Sequence, residues 1–193
     1  MKGFPATVAG TVLTFALVIC GSVARSAPSP ADTKDAPGFS TADKNNAFRG
    51  IPFGTPLEEV QKKWELTPVT EGGSPEEALK LFIKNDEVKK IGDLTLQEVT
   101  YYFFQGRFYA VEVETPDTRQ TQTLRQALEI AYRRGPNPGA SPDSLVWAGE
   151  NVSTLLMVNP LTGEGRMLLF SNAIQSGYET YFLESAKRTA SQL

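Results

Sequence analysis

The side chains in this sequence that could perform chemistry are carboxylates, because the 193-residue chain contains no histidine. Without an imidazole, the chain lacks the usual general base of hydrolases and a common metal ligand. Acidic residues stand close together at four places, which are Glu58-Glu59, Glu76-Glu77, Asp86-Glu87 and Glu112-x-Glu114. The last two lie in a predicted strand, where alternate residues share one face about 7 Å apart. That spacing is near the carboxylate separation of a retaining glycosidase, so Glu112 and Glu114 are the pair to test for hydrolysis.

Other chemistry finds little support in the residue patterns. None of the acidic groups stands in a calcium-loop pattern. The sequence Gly163-Glu164-Gly165 lacks the following helix that a phosphate-binding loop requires. We therefore expect no catalytic residue, no cofactor and no metal, and a protein that is not an enzyme.

A second set of residues could bind another protein. Tyr102, Phe104, Arg107 and Phe108 lie in the stretch 96–114, which is dense in aromatic residues and valines. Aromatic side chains and arginine dominate the energetics of protein interfaces. We expect a partner-binding surface at these four residues, unless the tail helix or the loop after Asn137 packs over them.

The stretch 96–114 predicts a β-hairpin. A three-residue loop of Phe104, Gln105 and Gly106 would place Gly106 in the left-handed conformation and pair Phe103 with Arg107. One face would then be dry, with Val99, Tyr101, Tyr109, Val111 and Val113. The other face would be wet, with Glu98, Thr100, Tyr102, Phe108, Ala110, Glu112 and Glu114. One wet and one dry face is typical of a half-covered antiparallel sheet.

Helices are needed to cover the dry face. Thr55-Pro56-Leu57-Glu58 predicts a capping box that starts a helix ending near Trp64. A second helix is predicted over Thr121–Arg134, and a third from Tyr178 to about Ser191. Their predicted apolar sides are Leu57, Val60 and Trp64; Leu124, Ala127, Leu128 and Ala131; and Tyr178, Phe182, Leu183 and Ala186.

Further strands extend the hairpin into a sheet. They are predicted at Thr67–Thr70, Leu79–Lys84, Ser144–Ala148, Asn151–Val158 and Gly165–Ser171. The elements predict an α+β fold, a two-layer sandwich in which an antiparallel sheet is covered by two amphipathic helices. Because helix-then-strands occurs twice, we expect a duplicated α-β-β-β unit followed by a C-terminal helix. The single domain is placed at 47–174 and the C-terminal helix and tail at 175–193.

The N-terminal residues have the pattern of a signal peptide. Lys2 precedes the apolar run Val8–Cys20, and the small residues Ser22 and Ala24 follow. This predicts a secretory signal over 1–24, with an apolar run too short to span a bilayer. Cys20 offers the alternative of a lipid anchor, although Ile19 stands where a lipobox has a small residue. The Pro-, Ala- and Ser-rich segment 25–46 predicts a disordered tether.

The cysteine count and the net charge restrict the possible disulfides and the classes of binding partner. Cleavage after Ala24 would remove the only cysteine, so no disulfide could form. Removal of Lys2 leaves 18 basic and 22 acidic residues, a net charge of −4. An acidic domain of this kind is a poor candidate for binding nucleic acid. We expect a periplasmic or secreted protein with no membrane span after signal cleavage.

Three stretches carry a resemblance to known proteins. FRGIPFGTPLEEV (48–60), QGRFY (105–109) and WxGENV (147–152) resemble a family of uncharacterised exported bacterial proteins over most of Phe48 to Asn172. GTPLEEV (54–60) also resembles the helix entry of small helix-plus-sheet envelope domains. Those include the small lipoprotein of the outer-membrane-protein assembly machine and the β-lactamase inhibitor protein. This second resemblance implies a protein-binding module rather than an enzyme.

These observations favour a non-enzymatic periplasmic module that binds another envelope protein through the exposed part of its sheet. Two alternatives stay open. One is a carboxylate-based hydrolase that acts through Glu112 and Glu114, and the other is a small-ligand carrier with a pocket between the helices and the sheet.

Overall fold

The computed structural model describes residues 41–69, 78–132, 136–139 and 143–191. The predicted signal peptide, Cys20 and most of the predicted tether lie outside these ranges. So do the acidic pair Glu76-Glu77 and the predicted end of the second helix at 133–134.

Four helices and twelve strands follow one another along the described chain. The helices are α1 (Thr41–Asn45), α2 (Leu57–Gln61), α3 (Thr118–Tyr132) and α4 (Asn172–Ala190). The strands of the first half are β1 (Ala47–Phe48), β2 (Ile51–Pro52), β3 (Leu66–Pro68), β4 (Leu79–Lys84), β5 (Lys90–Ile91), β6 (Leu94–Thr95), β7 (Glu98–Phe104) and β8 (Arg107–Thr115). The strands of the second half are β9 (Asn137–Pro138), β10 (Ser144–Ala148), β11 (Val152–Val158) and β12 (Gly165–Ser171).

Eight of the strands form one antiparallel sheet in the order β3-β4-β7-β8-β12-β11-β10-β9. The first four strands follow α2 and the last four follow α3, so each half is one helix and a four-stranded meander. The last strands of the two halves, β8 and β12, pair at the centre of the sheet. The α+β class is confirmed. Each half holds four sheet strands, so the unit is one strand longer than the expected α-β-β-β, although four strands were individually predicted in the first half. The extra strand of the second half is the two-residue β9, which lies in a predicted loop.

The first face of the sheet carries the main hydrophobic core. Val60 from α2 and Leu124, Leu128 and Tyr132 from α3 pack there against the sheet. Burying these apolar side chains supplies the main free energy that holds both helices on the sheet. Leu57 and Trp64 also pack against this core, as predicted, although α2 ends at Gln61 rather than near Trp64.

The second face is covered in part by α4. Tyr178 and Tyr181 of α4 pack over Phe104, and Tyr178 also stacks on Tyr109 at 5.3 Å between ring centroids. Helix α4 therefore adds a partial third layer to the predicted two-layer arrangement. None of its described side chains is fully buried.

The hairpin register differs from the prediction at its turn. Phe104 pairs with Arg107, so the loop is the two residues Gln105 and Gly106, both with positive φ. A bulge then follows, because Phe103 pairs with Phe108 while Tyr102 pairs with Ala110. The extra residue of the bulge is Tyr109.

The bulge exchanges two aromatic side chains between the faces. Phe108 lies in the core of the first face and Tyr109 lies under α4 on the second, the reverse of the prediction. Beyond the bulge the predicted faces are correct, with Val99, Tyr101, Val111 and Val113 in the core.

The helix ends also depart from the predictions. Thr55 is not a cap, because its hydroxyl donates to the carbonyl of Pro52 at 2.7 Å and α2 has no side-chain cap. Helix α3 begins earlier than predicted, where the Asp117 carboxylate accepts the Gln120 N–H at 2.9 Å. Its buried residues are Thr121, Leu124, Leu128 and Tyr132, while Ala127 and Ala131 are exposed.

Helix α4 begins six residues before the predicted position and directly after β12. Its start is held by Asn172, whose side-chain amide donates to the carbonyls of Gly149 and Glu150 at 3.1 and 3.0 Å. Leu183 and Ala186, predicted on its apolar side, are exposed.

Helix α1 lies within the segment predicted as a disordered tether. Asp43 of this helix is fully buried against the β10–β11 turn. Its Oδ1 atom accepts the backbone N–H groups of Asn151 and Val152 at 2.7 and 2.8 Å. Gly149 makes room for this carboxylate, because a Cβ atom there would lie 2.3 Å from Asp43 Oδ1. The domain therefore includes α1.

Candidate functional site

The half of the second face that α4 leaves uncovered is the candidate site. We call it the open half and define it by Ile83 of β4, Glu98 of β7, Glu112 and Glu114 of β8, Arg166 of β12, Met157 of β11 and Val146 of β10. The strand register places these side chains on one face, because Glu98 pairs with Glu114, Glu114 with Arg166 and Arg166 with Met157. The covered half, with Phe104 and Tyr109, lies toward the β7–β8 turn.

One guanidinium group links two of the carboxylates. Arg166 Nη2 lies 2.7 Å from Glu114 Oε1, and Arg166 Nε lies 3.5 Å from Glu112 Oε1. The Tyr102 hydroxyl donates to the other oxygen of Glu112 at 3.2 Å. The Glu98 carboxylate accepts a hydrogen bond from the Thr100 hydroxyl at 3.5 Å. Within the part of the chain that the structure describes, these three carboxylates share a single cation.

Burial shifts the pKa values of the linked side chains in the open half. Burial raises the pKa of Glu112 above its usual value, and the charge of Arg166 opposes the increase only in part. The pKa of the Tyr102 hydroxyl is also raised, first by burial and then by the charge of Glu112. Burial alone would lower the pKa of Arg166, but the charges of Glu112 and Glu114 together raise it. The open half therefore holds a partly buried carboxylate whose ionisation is less favourable than that of a solvated glutamate.

We expect Glu112→Gln to raise the free energy of unfolding at pH 7.5 and to change it much less at pH 4. An acid with a raised pKa in the folded state binds a proton on folding, so its penalty is absent at low pH. The penalty grows as the pH rises from the unfolded pKa through the folded pKa. Urea denaturation at the two pH values measures the difference.

The control for this measurement is Glu114→Gln, which removes the 2.7 Å ion pair with Arg166. This variant should not gain stability at pH 7.5. A Glu112→Gln variant less stable than the wild type at pH 7.5 would contradict the interpretation.

Apolar side chains flank the carboxylates on both sides. Ile83 is 38% exposed beyond β7, and Met157 and Val146 are half-buried beyond β12. Leu168, which pairs with Glu112 across the β8–β12 ladder, is half-buried and packs with the covered cluster of Phe104 and Tyr109. The open half is therefore a mixed surface of apolar groups around an acidic row, a composition suited to a protein contact.

The four residues predicted to bind a partner do not form one surface. Phe108 is fully buried in the main core, where it contacts Phe53, Trp64, Tyr101 and Phe103. Phe104 is buried under α4, as the alternative allowed. Arg107 is exposed at the hairpin turn, where it donates to the Gly54 carbonyl at 3.2 Å. Tyr102 alone reaches the open half, through its bond to Glu112.

Glu112 and Glu114 do share a face, as the strand period predicted. Glu98 lies on this face too, as predicted, and pairs with Glu114. The residue that sequence reasoning missed is Arg166. Arg166 lies in β12, 52 positions after Glu114 in the sequence. No short-range sequence pattern predicts the register between β8 and β12. One sequence feature could have indicated its position. Arg166, Leu168 and Phe170 alternate along one side of β12, which indicates that this side is partly covered rather than fully solvated.

Two surface cavities lie away from the carboxylates. One, of about 630 Å³, lies between the β1–β2 turn and β5 and is lined by Phe48, Arg49, Lys90 and Ile91 among others. The other, of about 470 Å³, lies beside the start of α4 and is lined by Glu150, Ser153, Asn172 and Gln175 among others. Neither is lined by Glu112 or Glu114.

A second acidic group is used internally. Glu87 forms an ion pair with Arg49 and accepts a hydrogen bond from the buried Tyr101. Arg49 also donates to the carbonyls of Val88 and Lys90 at 2.7 and 3.1 Å. This network fastens the β1–β2 turn to the segment before β5.

Among the described residues, no group of three or more histidine, cysteine or acidic side chains could hold a metal ion. None of the helices that the structure describes is both long enough and apolar enough to cross a membrane. No family model, no curated protein and no solved structure matches this chain.

Proposed function

We propose that this chain is an exported, non-enzymatic module that binds another protein of the bacterial envelope through its open half. The observation that carries the proposal is the incomplete cover of the sheet. Helix α4 covers the aromatic half of the second face. Among the described residues, the remaining half presents the exposed Ile83 and the half-buried Val146 and Met157 around three carboxylates and one cation. A sheet face of this kind offers a large, rigid contact area.

The edges of the sheet offer a poorer contact than its face. The outer strands β3 and β9 have three and two residues, and each contains a proline, Pro68 and Pro138. Proline and short length are the usual means by which a sheet edge avoids pairing with another chain. This favours recognition through side chains over strand addition.

Export rests on the predicted signal peptide at 1–24, with a lipid anchor at Cys20 as the less favoured alternative. In both cases the domain would meet its partner outside the cytoplasm.

The test is site-specific photocross-linking in living cells. A benzophenone amino acid at Ile83 or Val146 should capture one discrete partner. The same group at Ile130 is the matched control, because Ile130 is 77% exposed on α3, which covers the opposite face. Equal capture of that partner from Ile130, or none from the open half, would contradict the proposal.

A second candidate is a carboxylate-based hydrolase, favoured by one observation. Glu112 has a raised pKa and stands beside Glu114 on an open face, and pairs of acids in different environments serve as acid and base in glycosidases. Against it, Arg166 is within ion-pair distance of both carboxylates. Release of sugars from purified cell wall by the wild type, lost in Glu112→Gln, would support the hydrolase over the binding module.

A further inference from the structure

We infer that the partner presents an arginine or lysine, flanked by apolar side chains, to the carboxylates of the open half. This inference deepens the proposed function and rests on it. It concerns which chemistry the open half recognises.

Charge complementarity is the first argument. Glu98 and Glu114 lie directly opposite each other on β7 and β8. Like charges at directly opposed positions of an antiparallel pair destabilise it. Arg166 is on the far side of β8 and pairs with Glu114 and Glu112, so it leaves Glu98 without an ion-pair partner among the described residues. A cation from a partner would relieve this repulsion.

Partial burial is the second argument. The side chains of Glu112 and Glu114 are 16% and 25% exposed, and that of Arg166 is 38% exposed. Charges in such surroundings interact more strongly than fully solvated ones, because the effective dielectric constant is lower. A partner that covered the open half would exclude more water, and an apolar partner would leave the carboxylates desolvated without compensation. A covering partner must therefore supply positive charge.

The apolar flanks define how such a partner fits. Ile83 is on β4, one strand beyond Glu98, and Met157 is on β11, one strand beyond Arg166. Four inter-strand steps separate β4 from β11 in the sheet order, a span of roughly 19 Å. About six extended residues cover that span. A contact segment with a central basic residue and apolar residues two or three positions to each side would match these features.

The test uses a random heptapeptide library displayed on phage, selected on the purified, immobilised protein. We expect arginine and lysine to be enriched about threefold over the unselected library, with apolar residues around them. A Glu98→Lys/Glu114→Lys variant should abolish this enrichment. The matched control is Glu58→Lys/Glu59→Lys, which makes the same change in net charge at exposed positions of α2.

Folding is checked separately, because Glu114→Lys removes the ion pair with Arg166. Glu98→Gln changes only an exposed side chain, and it should reduce the enrichment of basic residues without altering the urea midpoint. Selection of neutral or acidic peptides, or equal enrichment on the Glu98→Lys/Glu114→Lys variant, would overturn the inference. So would loss of the enrichment in the α2 control.

The outcomes separate the inference from the proposed function. If cross-linking captures a partner but the phage selection does not enrich basic peptides, the proposed function stands and the proposed recognition of a cation is rejected. If the selection enriches basic peptides but cross-linking captures no partner, the proposed function in cells is rejected and the recognition of a cation stands.

Discussion

Phe108→Ala is expected to lower the free energy of unfolding by about 3–5 kcal/mol, as truncation of a fully buried phenylalanine does. The ring lies 4.9 Å from that of Phe53 and 5.5 Å from that of Phe103, and it also contacts Trp64 and Tyr101. Its removal would leave a cavity where α2, the β1–β2 segment and the central hairpin meet. Urea denaturation followed by tryptophan fluorescence measures the loss, since Trp64 is part of this cluster.

The neighbouring Arg107→Ala is the control, because it removes an exposed side chain with one hydrogen bond to Gly54. We expect a change within about 1 kcal/mol for it. If Phe108→Ala were as stable as Arg107→Ala, Phe108 would not be core, and the predicted partner-binding surface would regain its support.

Asp43→Ala is expected to lower the free energy of unfolding by about 2–4 kcal/mol. The substitution leaves the backbone N–H groups of Asn151 and Val152 without the acceptor that they share at 2.7 and 2.8 Å. Both groups lie where α1 covers the turn, and the loss of hydrogen bonds to a buried carboxylate is costly. Thermal and urea unfolding of the variant measure the effect.

Two variants calibrate this prediction. Lys44→Ala changes the next residue of α1, which is exposed, and should have little effect. Asp43→Asn keeps one acceptor oxygen and should fall between the wild type and Asp43→Ala. An Asp43→Ala variant within about 0.5 kcal/mol of the wild type would show that α1 adds nothing to the domain, the result expected for an ordinary surface substitution.

The strands were the most predictable part of this fold. Leu79–Lys84, Ser144–Ala148 and Gly165–Ser171 were predicted with the observed bounds, because alternation and flanking turn residues are local signals. The hairpin turn was predicted wrongly, because a two-residue loop and a three-residue loop are both compatible with the sequence. The structure combines a two-residue turn with a bulge at Tyr109, which moves Phe108 into the core and Tyr109 under α4. A prediction that allows only regular pairing cannot reach that solution.

Contacts between residues that are distant in the sequence could not be predicted from local patterns. Asp43 and Asn151 are 108 positions apart, and the composition around Asp43 is typical of a flexible segment. The position of α4 was equally hidden, because its packing side chains are only half-buried and its apolar side is weakly marked. The candidate site was also predicted in part. The hairpin pattern placed Glu98, Glu112 and Glu114 on one face, whereas Arg166 lies beside them only through the register between β8 and β12.

The attachment of α1 also has a mechanical consequence. Asp43 joins the start of the described chain to the first residues of β11, at the end of the strands nearest the β7–β8 turn. The acidic row of the open half lies toward the opposite end of the same strands. Tension applied ahead of Thr41, with a partner held on the open half, would therefore run lengthwise through the β11–β12 and β12–β8 ladders. Hydrogen bonds loaded along a ladder share the force and yield together, so the domain would resist such a pull better than one applied across its edge.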